Sequence, residues 1–490
     1  MNDNLEQSLA QRAVHGSMWM FGCKLVHRGL GLLRTFIMAR ILSPDDFGLF
    51  GIALLAFNLV ENFSVTGVSS VLVQKKEDIR GYLDSAWMIN VVRALLLFGL
   101  LYFGATPMAS FFGRPEVAEL IKAIAFIQLF LGAENICTIY FQREMLFDKL
   151  FYLKLSSILA NLIVSVALAF TLKSVWALVY GTLAGAFVKS IVSYLLHPYR
   201  PKLKFELAKI KELLIVGKWF FGSSILIFLI TEGDDAVVGK LLGAAPLGLY
   251  QMAYLLSSAP ATEISNFVAT ITFPAFSKLQ GDIARLRNAY LRVLQLVTFL
   301  CFPISGLIFL LAPDFTKLLL GEKWMSMVPA LQILTLWGVI RCVEAATIQV
   351  FYATGKPSMA TKILFTELLF IVILIYPLTA KWGIVGTSWT IVAAAVIPNL
   401  SALILGLKIL RGRVCDLGKI LLLPIVNTFL MIAVIHLLKS YWPGNIMLIF
   451  NILIGLIVYL SAAELFKLFL NYDIWYVLRV ARKGLSSERI

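Results

Sequence analysis

Apolar residues run through this chain in blocks of about twenty, the length a helix needs to cross a roughly 30 Å hydrocarbon core. Each block ends at Gly, Pro or a cluster of charge. Divided this way, the sequence predicts about fourteen helical spans. Their limits are 17–39, 47–72, 84–106, 117–140, 152–172, 175–196, 212–238, 247–275, 289–312, 328–353, 360–380, 383–407, 418–439 and 445–470. Segments such as LILGLKIL and LLFIVILIYPL are solidly apolar rather than alternating, so the spans read as helices and not as barrel strands. No connection exceeds about 16 residues, so no extramembrane domain is expected.

The connections alternate in charge. Lys75, Lys76 and Arg80 follow the second span, Arg143 and Lys149 the fourth, and Arg200, Lys202, Lys204, Lys209 and Lys211 the sixth. Lys278, Arg285 and Arg287 follow the eighth, Lys408, Arg411 and Arg413 the twelfth, and Arg479, Arg482, Lys483 and Arg489 the last. The intervening connections hold about one base each, at Arg40, Arg114, Lys173, Lys240, Lys381 and Lys439, except 313–327, whose two are offset by acids. Basic loops stay cytoplasmic, so an even number of spans and two cytoplasmic termini are expected. Composition agrees: 60% hydrophobic, 14% charged, with a mean hydropathy of +0.86. The net charge of +15 reads as topology and attraction to anionic lipid heads, not as a nucleic-acid footprint.

A second pattern lies over the first. ARILSPDDFGLFG, 39–51, returns 200 residues later as GKLLGAAPLGLYQ, 239–251. At that offset Trp19/Trp219, Phe21/Phe221, Gly22/Gly222, Leu42/Leu242, Gly48/Gly248, Leu49/Leu249, Ala53/Ala253 and Leu55/Leu255 match without a gap. Six spans separate the copies, so the repeat is parallel, related by an axis along the membrane normal. The expected organisation is an N-lobe (1–205, spans one to six), a C-lobe (206–410, spans seven to twelve) and an appendage (411–490, the last two spans with a basic tail). Two six-helix lobes around a central cavity is an alternating-access plan.

Ionisable residues inside spans are costly and mark function by default. Lys24, His27, Arg28 and Arg34 lie on the first span, within an arc of about 120° at 100° per residue. Such a stripe cannot face lipid. It should face the cavity, where arginine suits the oxygens of a phosphate. Arg93, in the third span, is a further cavity cation, although any of these bases also has an alternative as the partner of an acid between helices. The aligned positions of the repeat are Ser224, Ile227, Phe228 and Asp234, so the second copy lost the cations and gained Glu232, Asp234 and Asp235. Asp234 and Asp235 stand as a gate against Arg34 or Arg40, as a cation site, or as acids at the water interface. Glu61, Glu263, Glu134 and Glu344 occupy mid-span positions, where they either carry a coupling H+ or Na+ or neutralise bases, Glu61 the first-span stripe and Glu344 Arg341.

RILSPDDFGLFGIALL and GVSSVLVQKKE in the first half, with DDAVVGKLLGAAPLGLYQMAY, FPAFSKLQGDIARLRNAYLR and LLLGEKWMSMVPALQIL in the second, resemble the Wzx-type polysaccharide exporters. These belong to the multidrug/oligosaccharidyl-lipid/polysaccharide (MOP) superfamily, and the colanic-acid exporter branch is the nearest in pattern. The resemblance spans roughly 15–410. It implies an all-α, MATE-like fold and flipping of an undecaprenyl-diphosphate-linked oligosaccharide between leaflets. It also implies contact of the polyprenyl tail with membrane lipid and association with polymerase and assembly proteins, and it supports acids at Asp234 and Asp235. A peptidoglycan lipid-precursor flippase and a cation-coupled multidrug exporter are the alternatives with the same architecture, and a membrane scaffold is one of another class.

Nothing in the pattern points to catalysis. GxxxxGK[ST], HExxH and GxSxG are absent, so no enzyme activity and no cofactor are expected. Cys23, Cys137, Cys301, Cys342 and Cys415 are scattered, without CxxC pairs or His partners, which argues against a metal site or a disulfide framework. The first 15 or so residues are polar and lack the apolar core of a signal peptide, so the chain is read as mature from Met1.

Overall fold

The computed structural model describes residues 22–470 except 23, 25, 65–66, 75–78, 145, 203–205, 207–224, 226–227 and 442–446. Every regular element among them is helical, and seven helices there are long and apolar enough to cross a membrane. The protein is a multi-pass membrane protein. It divides into two compact units, Met1–Gly248 and Leu249–Ile490.

The first unit opens with α1, helical over 26–41, and α2, Pro44–Asn62. Ser43 caps α2: its hydroxyl accepts the Asp46 N–H, the Asp46 carboxylate accepts the Ser43 N–H, and Pro44 fills the first helical position. The other carboxylate oxygen of Asp46 accepts the Val175 N–H at 3.1 Å, which ties this turn to the start of α8. There follow α3 (Val68–Gln74), α4 (Arg80–Phe111), α5 (Val117–Gly132), α6 (Thr138–Arg143), α7 (Phe147–Leu172) and α8 (Trp176–Leu196). Then come α9, over 228–242, and the first turn of α10, Ala244–Leu279.

Two expected spans are broken. The 47–72 block splits between α2, which ends at Asn62 with Phe63 as its cap, and α3, which Gly67 precedes in a left-handed conformation at φ 66°. The 117–140 block splits between α5 and α6 because Asn135 bonds locally: its side-chain oxygen accepts the Cys137 N–H at 3.0 Å and its own N–H goes to Ser193.

Small residues set the closest helix approaches. Gly132 sits on Ala94, and Gly181 and Gly185 of α8 sit on Ser165 and Ser157 of α7, the packing expected where lipid supplies no hydrophobic drive between helices. The repeated hairpins meet in the same way. A Cβ on Gly48 would overlap the Ala244 carbonyl, and one on Gly248 would overlap the Pro44 carbonyl. Position 44 corresponds to 244 and 48 to 248 in the repeat, so the contact is reciprocal.

The second unit continues along α10 and adds α11 (Ile283–Phe315), α12 (Val328–Ala353), α13 (Pro357–Ile409), α14 (Val414–Tyr441) and α15 (Met447–Leu470). The 53 residues of α13 would span about 80 Å if straight. Gly383 (φ 59°, ψ −143°) folds them into a hairpin, and hydroxyls of Thr379 and Thr387 meet across it at 2.9 Å. The two arms match the expected spans 360–380 and 383–407. Phe276, Leu286, Tyr290, Val350 and Leu407 form a core among α10–α13, with Tyr290 bonded to Thr347 at 3.0 Å. The last two helices pack on α11 through Leu307, Met431 and Ile435, where the Tyr459 hydroxyl donates to the Phe299 carbonyl.

Candidate functional site

The cations expected to line a transport path are on α1 and the residues just before it. Lys24 and His27 are exposed, and Arg28 and Arg34 are half-buried. Both arginines hold a buried Nε without a hydrogen-bond partner. Among the described residues no carboxylate pairs with Lys24, Arg28 or Arg34. A base near the centre of a span costs about 3 kcal/mol on insertion scales, and an unmet donor adds to that.

The neighbour of this stripe is α7. Gly31 faces Ile158 at 3.7 Å, and His27 lies in the field of both Arg28 and Lys154. Lys154 and Ile158 are one turn apart on α7 as His27 and Gly31 are on α1, so two helices run side by side and Lys154 widens the cationic surface. Sequence reasoning missed Lys154. It stands at the start of a span, where a base reads as an ordinary loop charge, and only the packing of α7 on α1 sets it beside the stripe.

Arg93 differs from these. Its guanidinium meets the Glu61 carboxylate at 2.7 Å and donates to the Ser64 carbonyl and hydroxyl, both at 2.8 Å, and to the Glu61 carbonyl at 3.1 Å. Gln128 donates to the second Glu61 oxygen at 2.9 Å. The structure thus brings together two residues that the sequence placed in separate roles, and ties α4 and α5 to the end of α2. Glu134 is likewise paired, with Lys189 at 2.7 Å.

On α9, Asp234 is 3% exposed and accepts the Asp235 N–H at 3.0 Å, while Glu232 accepts from the Asn58 amide at 3.4 Å. In the second unit Glu263 is half-buried on α10. Glu344 lies in the field of Arg341, whose guanidinium stacks over Trp337 at 4.9 Å. A second acid shares that field: Glu367, 5% exposed on the first arm of α13, interacts with both Glu344 and Arg341. Glu367 was also missed, although a lone acid inside an apolar run is itself the signal. Cys301 and Cys342, distant in sequence, are buried free thiols in the core of this unit, and the Cys342 thiol donates to the Ala261 carbonyl at 3.6 Å. Among the described residues no group of three His, Cys, Asp or Glu side chains could hold a metal.

A surface of fixed, unpaired cations can take a multiply charged anion and offset the loss of its hydration. Arg28 and Arg34 present guanidinium donors to phosphate oxygens, and Lys24 and Lys154 supply point charge.

Comparisons with known proteins bear on this geometry. A family model described as "Polysaccharide biosynthesis protein" matches residues 37–329. The chain is 28% identical over 342 residues to the lipopolysaccharide biosynthesis protein WzxC of Escherichia coli K12, covering 69% of each chain. It is 27% identical over 309 residues to the succinoglycan biosynthesis transport protein ExoT of Rhizobium meliloti, covering 63% of this chain and 62% of that one. Its fold is that of the lipid II flippase MurJ in an inward closed conformation, with a TM-score of 0.74 at 19% identity, covering 93% of this chain and 99% of the other.

Proposed function

The chain belongs to the polysaccharide biosynthesis protein family, and on that premise we propose that it flips an undecaprenyl-diphosphate-linked oligosaccharide from the cytoplasmic to the periplasmic leaflet of a bacterial inner membrane. The observation that carries this reading is the pair of buried, partnerless Nε atoms on Arg28 and Arg34, along one face with Lys24 and His27. A diphosphate carries about two negative charges and must pass through a low-dielectric region; fixed cations along its path compensate for the lost water. The roles of the relatives, lipopolysaccharide biosynthesis for one and succinoglycan biosynthesis transport for the other, support a glycan cargo.

The head group enters from the cytoplasm, engages Arg28, Arg34, Lys24 and Lys154, and is presented outside when the two lobes rock. The polyprenyl tail stays in lipid beside the last two spans, and polymerase and assembly proteins receive the product. No bond is made or broken. Glu61 and Glu134 are held by Arg93 and Lys189, so coupling to H+ or Na+ is assigned to the remaining acids: Glu344 and Glu367 beside Arg341, with Glu263, Asp234 and Asp235. A multidrug exporter of the same fold would need acids where α1 has bases.

The test is gene deletion followed by lipid analysis. Undecaprenyl-diphosphate oligosaccharide should accumulate facing the cytoplasm, and an Arg28→Ala variant present in the membrane should fail to clear it. Accumulation of peptidoglycan precursor instead would assign the chain to that substrate.

A further inference from the structure

The second unit holds an open groove of about 500 Å³ between α10, the end of α12 and the start of α13, lined by Ala269, Thr270, Phe273, Gln349, Tyr352 and Pro357. Its volume is that of an ordinary small-molecule site, which runs from about 300 to 1,000 Å³. Gln349 is 9% exposed as a residue, its amide bonds to no group among the described residues, and it opens on this space. An amide so placed offers two donors and an acceptor to a ligand. The Thr270 hydroxyl donates to the Asn266 carbonyl at 2.8 Å, which leaves its oxygen free to accept. The Phe273 and Tyr352 side chains are 45% and 43% exposed.

The lining selects among ligands. It contains no Lys or Arg, so a phosphate gains nothing there, and no Asp or Glu, so a cation gains nothing either. A hydrocarbon chain would fill the space, cover the Gln349 amide and strip its water without offering a partner, which is costly. A polyhydroxylated ring satisfies every group: its hydroxyls meet the amide, the Thr270 oxygen and the Tyr352 hydroxyl, while its C–H faces lie on the two aromatic rings. Polar positions continue along α10 at Glu263 and Asn266, seven and four residues before Thr270 and so on the same side of the helix. A side of that composition avoids lipid. The charge pattern of the connections puts this end of α10 and α12 on the cytoplasmic side.

On the transport reading given above, we infer that this groove binds an uncharged sugar ring of the lipid-linked head group.

The full-length protein in phospholipid nanodiscs is titrated with undecaprenyl diphosphate and with the same lipid carrying glucose, galactose or N-acetylglucosamine. Wild type should bind at least one glycosylated probe about tenfold more tightly than the bare lipid, the factor that corresponds to one or two ordinary hydrogen bonds. Gln349→Leu and Tyr352→Leu should each erase most of that preference while leaving bare-lipid affinity unchanged. Tyr352 is exposed, so its variant decides the matter if Gln349→Leu melts early. A preference that survives both substitutions, an equal affinity of wild type for all probes, or tighter binding of bare lipid by Gln349→Leu would overturn the sugar site. Failure of wild type to bind any of the four lipids would overturn the transport reading itself.

Discussion

Arg28 and Arg93 are both arginines on apolar helices of the first unit, and their surroundings are opposite. Arg93 is met by a carboxylate, two carbonyls and a hydroxyl; Arg28 keeps a buried Nε that nothing among the described residues meets. The difference separates two reasons for placing a charge in a membrane. A base whose donors are all answered fastens helices together. A base whose donors are left open is a standing loss of stability, which selection removes unless an external ligand repeatedly makes it good.

The sharpest way to break this comparison is to remove each charge with one apolar residue and read stability and transport separately. Arg93→Leu leaves Glu61 without its cation. Removing one member of a buried pair is strongly destabilising, and with the two side chains 22% and 31% exposed the loss should be about 2 kcal/mol once screening is allowed for. Melting in detergent should fall by several degrees, and export should fall only as far as the amount of folded protein falls. Arg28→Leu should do the reverse: melting unchanged or raised, and export reduced at least tenfold, the range of one charge-assisted hydrogen bond at about 1.5–3 kcal/mol. Equal melting losses in the two variants would erase the distinction.

Lys154 sharpens the same contrast with a smaller effect. It is exposed on α7 beside His27, so it acts through a partly screened field rather than through a desolvated contact. Lys154→Ala should lower export by about threefold, less at high salt, with melting unchanged. An Arg28→Ala, Lys154→Ala double variant that loses no more than Arg28→Ala alone would take Lys154 out of the cationic surface.

Much of the architecture was legible because the bilayer imposes one length and one period. The limits 328–353 coincide with α12, and the turn between spans eleven and twelve falls at Gly383. The hairpin repeat announced itself through Gly48 and Gly248, and the structure gives both glycines the same reason, a carbonyl where a side chain would be. The breaks at 63–67 and 133–137 were not legible, because hydropathy registers neither a left-handed glycine nor an asparagine that bonds its own backbone. Charges were visible, but their partners mostly were not, Glu344 beside Arg341 excepted. Glu61 and Arg93 are 32 positions apart and meet only through the packing of α2 on α4. Glu134 and Lys189 are 55 apart. Lys154 and Glu367 were passed over for the converse reason: each looks ordinary until a neighbour from another helix is set beside it.

His197 carries the comparison to a group whose partner depends on pH. It follows α8, outside the spans, with its ring stacked 5.8 Å from Tyr140, and its Nδ1 accepts the Tyr199 N–H at 3.2 Å. Burial lowers its pKa below the usual 6.5, Lys149 and Arg200 add to the shift, and Glu144 opposes them. A protonated ring could not accept that N–H, so the folded chain disfavours the charged form. As pH falls through 6.5 the unfolded chain takes up a proton that the folded chain refuses, the unfolded state then binds more protons, and stability falls with it. Melting temperature should therefore be flat from pH 8 to 7 and decline from about pH 6.5 downward, by a degree or two. His197→Gln keeps an acceptor but has no titrating group, so it should melt like wild type at pH 8 and lose part of the acid slope. An unchanged slope would mean that Tyr199 and its bond to Asp84, rather than the imidazole, hold this end of the unit as the proton concentration rises.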